Sequence, residues 1–463
     1  MTTAIQQIEM YLEQFTEFQR LSEGRAPRWL RKLREDAFAL FCERGFPTTH
    51  DEDWRFTNVA AIARTPFALP LKNATPLVGS VLQPWLMKDA AIDLVFVDGQ
   101  FVRELSVLPS LPGVSVSSLR QEFAKPPEAL QLHLGRYLDT RRDPFCALNT
   151  AFAEDGAYVN ISRGVVLEAP IRLLFVSTAS DVPIMIHPRN LLVFENESQA
   201  TVIEEYVSLG SGPMLCNSAT ELIAGENATV SHYMIEREQR EAFNISTLRI
   251  QQERNSNTAS HSLLLGGGLV RNNVHPVLAG EGGECLINGL FVGDGQQHLD
   301  NYMHVEHASP HCSSRQFYNG ILDGHAHGVF HGRIVVHKNA QKTDAKQTNR
   351  NLLLSDDAQI DTKPQLEIYA DDVKCTHGAT IGQIEENALF YLRSRGIDER
   401  SARKILLLAF ASECLGRMKP GLARTHAERL IDAHLLKVAA VSPGHDSADL
   451  AQSERERNWE EVG

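Results

Sequence analysis

The spacing of hydrophobic positions changes along this chain, and each change marks a different kind of element. Near the start, Ile8, Leu12 and Phe15 recur at helical intervals. A second periodic stretch over 25–47 stops at Gly45 and Pro47, so the first 45 or so residues read as helices. The segment "AAIDLVFVDGQFV" (90–102) reads as two strands about an Asp98-Gly99 turn, followed by a Pro-rich, mixed stretch to about 145.

From about 146 to 384 helical periodicity is nearly absent and short β signal dominates. Five segments share one layout of apolar strand end, acidic or glycine turn, small residue and new strand. They are "VFENESQATVIEEY" (193–206), "LIAGENATVSHYMI" (222–235), "VLAGEGGECLINGL" (277–290), "ILDGHAHGVFHGRI" (321–334) and "LLSDDAQIDTKPQL" (353–366). Aligning Ala200 with Ala228 sets an interval, and Ala228 to Glu284 is twice that interval, leaving room for one further unit. A degenerate repeat of strands and polar turns predicts a parallel β-helix whose stacked coils bury one apolar column, with a β-sandwich as the rival. Beyond it, "IEENALFYLRSRGI" (384–397) becomes helical and ends at Gly396, and Asp398 is placed to cap the next helix. A last helix puts Ile431, Leu435 and Val438 on one face, and the tail from 442 is polar and expected to fray. The reading is therefore three regions: helical and mixed (1–145), parallel β-helix (146–384) and C-terminal helices with a tail (385–463).

Composition narrows the function. With 45 Lys plus Arg against 58 Asp plus Glu, the 463-residue chain carries a net charge of −13, which argues against a nucleic-acid partner. The longest apolar run, "ILLLAFA" (405–411), is far short of the roughly 20 residues of a membrane span, so a soluble protein without a signal peptide is expected. The 7 cysteines are scattered and never form a CxxC pair, which suits a reducing cytoplasm. A metal held by this chain would need ligands from another.

Several stretches carry candidate chemistry. Between 298 and 337, His298, His304, His307, His311, Cys312, His325, His327, His331 and His337 accumulate beside Glu306 and Asp323. Convergence of two or three would make a metal-dependent β-helix enzyme, whereas histidines on outer faces of coils need no function. The glycines of "LLLGGGLV" (263–270) lack the Lys-Ser/Thr of a P-loop and read as a coil corner. No GxSxG elbow occurs, and the adjacent acids Asp356-Asp357 and Asp371-Asp372 read as solvated turns. In "ADDVKCTHGATIG" (370–382), strand alternation points Cys375 and His377 the same way, with glycines following at Gly378 and Gly382 where the chain could bend. The pair is open to three readings: metal ligands, a nucleophile with its base, or a core thiol beside a surface imidazole.

The long block "SRQFYNGILDGHAHGVFHGRIVVHKNAQKTDAKQTNRNLLLSDDAQIDTKPQLEIYADDVKCTHGATIGQIEENALFYLRSRGI" (314–397) resembles the core of the SufB/SufD family of iron–sulfur cluster assembly proteins. "DEDWRFTNV" (51–59) and "LNTAFAEDGAYVNISRGVVLEAPI" (148–171) are similar to further family blocks, and the Cys-x-His-Gly pattern is most like the SufD branch. The resemblance implies a right-handed parallel β-helix flanked by helical regions. It also implies a non-enzymatic scaffold in a complex of one SufB, one SufD and two SufC ATPases, fed with sulfur by a cysteine desulfurase system. SufC would dock on the C-terminal helices. His377, with Cys375 as second ligand or sulfur acceptor, would contribute to a transient cluster shared with SufB at the SufB–SufD interface. The isolated chain would hold no tightly bound cluster and could form a homodimer.

Overall fold

The computed structural model describes residues 4–438 apart from 25, 71–78, 83–84, 86, 88, 127 and 179–180. The expected polar tail from 442 lies outside the described residues. The centre of the chain is a parallel β-solenoid in which two sheets, each ten-stranded when the short strands Gln100–Phe101 and Ile184–Ile186 are counted, share one interior. The first sheet runs from Ile92–Val97 through Ile171–Ser177, Gln199–Ser208, Thr229–Arg237, Asn257–Leu264, Glu284–Gly293, Ser313–Leu322 and Asp344–Leu353 to Lys374–Gly382. The second runs from Val114–Ser118 through Ala157–Ile161, Arg189–Phe194, Met214–Ala224, Ala242–Gln252, Leu269–Leu278, His298–His307 and His327–Val336 to Gln359–Ile368. Each coil alternates between the sheets, so hydrogen-bonded neighbours come from successive coils.

The repeat predicted from the sequence is present, with two corrections. Register aligns Ala200 with Val230 rather than Ala228, and the missing unit is the strand Asn257–Leu264. Moreover, three of the five similar segments turn into the first sheet, while 321–334 and 353–366 turn into the second. Turns at opposite corners were thus read as one series. One corner carries a ladder of left-handed residues, Glu197, Asn227, Asn255, Gly282, His311 and Lys342. Each donates its N–H to a carbonyl in the next coil, as in Asn227 N to Arg254 O at 2.9 Å and His311 N to Gln341 O at 2.9 Å. At the opposite corner a Cβ on Gly266 or Gly268 would lie 2.3 or 2.2 Å from a backbone oxygen, so the triple glycine is a corner, as expected.

A helix the hydrophobic pattern did not reveal spans Pro144–Phe152. Asp143 caps it, accepting from Phe145 N at 2.8 Å and Cys146 N at 3.2 Å. All of its residues are buried, Asn149 and Thr150 included, so it has no solvent-facing side to mark it. It belongs to an aromatic cluster with Tyr11, Phe15, Phe38 and Phe41 that covers the outer face of the second sheet at Leu215, Ile245 and Leu269. The C-terminal helices Glu386–Ser394, Glu399–Leu415 and Leu422–Val438 lie toward the other side. There Leu407, Ala411, Cys414 and Ile431 pack on Ile203, Tyr233, Leu263 and Leu290 of the first sheet. Asp398 caps its helix as predicted, accepting from Ser401 N at 3.0 Å.

Within the interior, small and large residues alternate between coils. Tyr318 fills the space left by Gly289, and Phe291 the space left by Gly320. A Cβ on Gly289 would sit 2.1 Å from the Tyr318 ring, whereas one on Gly378 in the last coil would meet nothing within 4 Å. We therefore expect Gly289→Ala to cost about 1–3 kcal/mol by overpacking, and Gly378→Ala to leave the urea midpoint unchanged.

Candidate functional site at the terminal coil

The strands Lys374–Gly382 and Gln359–Ile368 are the last of their sheets, each hydrogen-bonded on one side. Among the described residues their outer edges have no sheet partner, the feature that lets a sheet continue into another chain. Register stacks Cys375, His377, Ala379 and Ile381 over the inward residues Ala345, Gln347, Asn349 and Asn351. Those preceding residues are buried, with Gln347 1% exposed. In the last coil His377 is exposed and Ile381 is 52% exposed, because among the described residues no further coil covers this end. The interior of the solenoid is thus open here, with a thiol and an imidazole on its floor and Ile368 and Tyr369 at its rim.

Cys375 and His377 share a face, as strand alternation required, but their surroundings differ. Cys375 is half-buried against the interior apolar cluster, and burial pushes its thiol pKa up. A raised pKa suits neither a free nucleophile nor a redox thiol. Among the described residues no hydrogen bond joins Cys375 to His377, so the nucleophile-with-base reading has no geometry behind it. Gly378 is not a bend, as the strand continues through it, whereas Gly382 is the strand's last residue. What Gly378 leaves is open space beside His377.

The histidines of 298–337 do not converge. Among the described residues no three His, Cys, Asp or Glu side chains are grouped to hold a metal ion. On the outer face of the second sheet, His298, Asp300 and Arg271 meet the segment 51–57. Thr57 Oγ1 lies 2.9 Å from His298 Nε2 and donates to Asp300 Oδ2 at 2.6 Å. The Arg271 guanidinium is held over Trp54 at 3.8 Å and over Tyr302 at 4.9 Å, and donates to Asp53 O at 2.8 Å. His327 contacts Asp361 at 2.8 Å. His307 faces inward, 2.8 Å from Ser314 Oγ, and His311 occupies a left-handed turn. Burial pulls the His298, His307 and His331 imidazoles down to about 4, so they are neutral at physiological pH. These positions hold the fold together. What sequence reasoning missed was the open apolar rim, whose only trace was the continued apolar alternation of Ile360, Leu366 and Ile381 into the last strands.

Two family models account for most of the chain. "SUF system FeS cluster assembly, SufBD core domain" matches residues 175–410, and "SufBD protein N-terminal region" matches residues 5–173. This chain belongs to the SufBD family. It is 34% identical over 428 residues to an iron–sulfur cluster assembly SufBD family protein of Synechocystis, covering 90% of this chain and 94% of that one. It is 33% identical over 373 residues to the iron–sulfur cluster assembly protein SufD of Escherichia coli, covering 80% and 84% of the two chains. The SufD of Bacillus subtilis is 25% identical over 418 residues, with 88% and 93% covered. Within the SufBD family the chain is therefore most like SufD, and its role lies in iron–sulfur cluster assembly. The fold expected from the resemblance, a mainly β solenoid flanked by helices, is the fold observed. No helix among the described residues is long and apolar enough to cross a membrane.

Proposed function

We propose that the chain is the SufD-type scaffold subunit of a complex with a SufB-type paralogue and a SufC-type ATPase, and that its terminal coil forms one wall of the chamber in which a nascent cluster assembles. The observation that carries this reading is the open end of the solenoid, where His377 and Cys375 stand exposed or half-exposed between two unpaired strand edges. A partner of the same fold continues both sheets, covers Ile368, Tyr369 and Ile381, and faces its own thiolates across the gap.

In that arrangement His377 gives a ring-nitrogen lone pair to iron. Cys375, whose thiol burial keeps protonated, becomes a ligand or sulfur acceptor only once a metal or sulfur donor is at hand. The cluster is cargo, held transiently across the interface and passed on, so the subunit needs no catalytic group of its own. Sulfur reaches the complex from a cysteine desulfurase system, in the cytoplasm. When isolated, the same open coil pairs with a second copy. Co-expression with SufB and SufC followed by intact mass measurement tests the reading. A complex of one SufB, one SufD-type chain and two SufC subunits is expected; a chain that purifies alone from that mixture overturns it.

The C-terminal helices are the proposed SufC dock. Phe390 and Tyr391 are 74% and 57% exposed, although the neighbouring helix faces are committed to the first sheet. Two such aromatics in water suit a partner groove. Deleting the helices would strip Ile203, Tyr233 and Leu290 of their cover, so a point change is the cleaner probe. The double variant Phe390→Asp, Tyr391→Asp should keep the wild-type melting temperature and lose SufC in pull-down; retained SufC would move the dock elsewhere.

A further inference from the structure

The interior of the solenoid is not a purely apolar column. Glu204, buried at 3% exposure, accepts hydrogen bonds from Thr220 Oγ1 at 2.8 Å, Tyr206 Oη at 2.9 Å and His232 Nε2 at 3.1 Å. A carboxylate can only accept, so the His232 nitrogen facing it carries the proton. Burial alone would raise the Glu204 pKa. The bonds from His232, Thr220 and Tyr206 outweigh it and hold the carboxyl below its usual range. Beside this pair is an enclosed cavity of about 10 Å³ lined by Ser246, Ser260, Ser262 and Asn272, about the space one water molecule requires.

From this cavity toward the open end, inward polar side chains recur in every coil. Asn272 and Asn301 are register neighbours in the second sheet. Ser262 Oγ donates to Tyr318 Oη at 3.3 Å, and Gln347 Nε2 donates to Gln316 Oε1 at 2.9 Å. Register then places His377 directly over Gln347. The absence of a side chain at Gly332 gives both glutamines room, since a Cβ there would lie 1.5 Å from Gln347 Nε2. Asn272, Asn301, Gln316 and Gln347 are all at most 2% exposed. Yet among the described residues Asn272 Nδ2, both polar atoms of the Asn301 amide, Gln316 Nε2 and Gln347 Oε1 have no hydrogen-bond partner. An unpaired buried amide is costly, and a series of them in successive coils is met most simply by bound water.

We propose that the solenoid holds a file of water molecules running from the Glu204–His232 pair to the terminal coil, and that this file carries protons between the buried pair and the coil face at His377. The side-chain amides anchor the waters, and the waters pass the proton, each accepting one and releasing one, with no bond changed other than O–H and N–H. Metal uptake by an imidazole or thiol releases protons, which supplies the need for such a route at this end. That last use rests on the proposed role of the terminal coil; the file itself does not.

The test is made on the full chain without iron, so its failure is separable from failure of the cluster reading. A high-resolution crystal structure should show ordered water bonded to Asn272, Asn301, Gln316 and Gln347; a dry interior with these amides turned to pair among themselves overturns the file. Proton passage is read from solvent exchange of the His232 ring N–H by NMR on histidine-labelled protein. It should exchange at least about tenfold faster than the backbone amides of its own strand, and Gln347→Leu should slow it by a similar factor. Exchange as slow as the strand amides, or unaltered by Gln347→Leu, overturns the route. Asn301→Leu gives an independent sign. In a wet seam it strips waters of a partner and lowers Tm, whereas in a dry seam it relieves an orphaned amide, so an unchanged or raised Tm counts against the file.

Discussion

Replacing His377 by alanine is expected to leave the chain folded and its proposed partners bound, and to remove most of the cluster yield of the assembled complex. The side chain is exposed on the last coil and contributes nothing to the apolar interior, so its loss leaves no cavity in the core. Its expected contribution is a nitrogen ligand, and a cluster with one ligand removed and water in its place is expected to be labile. The measurement is visible absorbance after anaerobic reconstitution of the purified variant complex with iron and sulfide. A wild-type yield would return His377 to a surface role. Cys375→Ala is the companion variant, and because Cys375 also packs on the interior, its melting temperature must be read beside its yield.

Arg172→Met is expected to destabilise the protein by about 3–5 kcal/mol near neutral pH, the largest single effect on stability. Arg172 is fully buried and binds Asp93 through two nitrogens, at 3.1 and 2.6 Å, and Glu205 at 3.3 Å. It also donates to the carbonyl of Trp85. Glu205 is reached in turn by Arg237 at 3.2 Å and by His426 of the last helix at 3.3 Å. One guanidinium therefore ties the N-terminal region and the solenoid into a network that also reaches the C-terminal helices. Burial already raises the Asp93 pKa against the pull of Arg172. Without the guanidinium it rises further, and a carboxyl with a raised folded pKa favours the folded state as it takes up its proton. The deficit should therefore shrink as pH falls toward the carboxylate range and be largest above it. Denaturant unfolding at several pH values checks both magnitude and sign. A loss that is small and independent of pH would show that the two acids find other partners.

Features that depend on a few neighbouring residues were legible in the chain itself. The Asp98-Gly99 turn, the helix stop at Gly45 and the Asp398 cap all appear where the residue types place them, because their hydrogen bonds close within a few positions. The alternation putting Cys375 and His377 on one face was equally local. The coil repeat was legible only in outline. Its turns fall at two opposite corners, and nothing in the local pattern distinguishes a turn into the first sheet from a turn into the second.

The tertiary structure decided which faces are covered. Both sheets are packed on both sides, by the interior and by helices, so apolar residues point each way and alternation cannot tell inward from outward. Hence the buried helix Pro144–Phe152 has no solvent-facing stripe, and Asn272, Asn301 and Gln347 are polar although they point inward. Hence also His298 and Asp300 meet Thr57 while Arg271 covers Trp54, through contacts linking residues more than two hundred positions apart. The sequence by itself determined that a thiol and an imidazole share one face near the end of a β-solenoid. That this face stays open depends on where the stack of coils ends and on which surfaces the terminal helices cover, both consequences of long-range packing that no local pattern encodes.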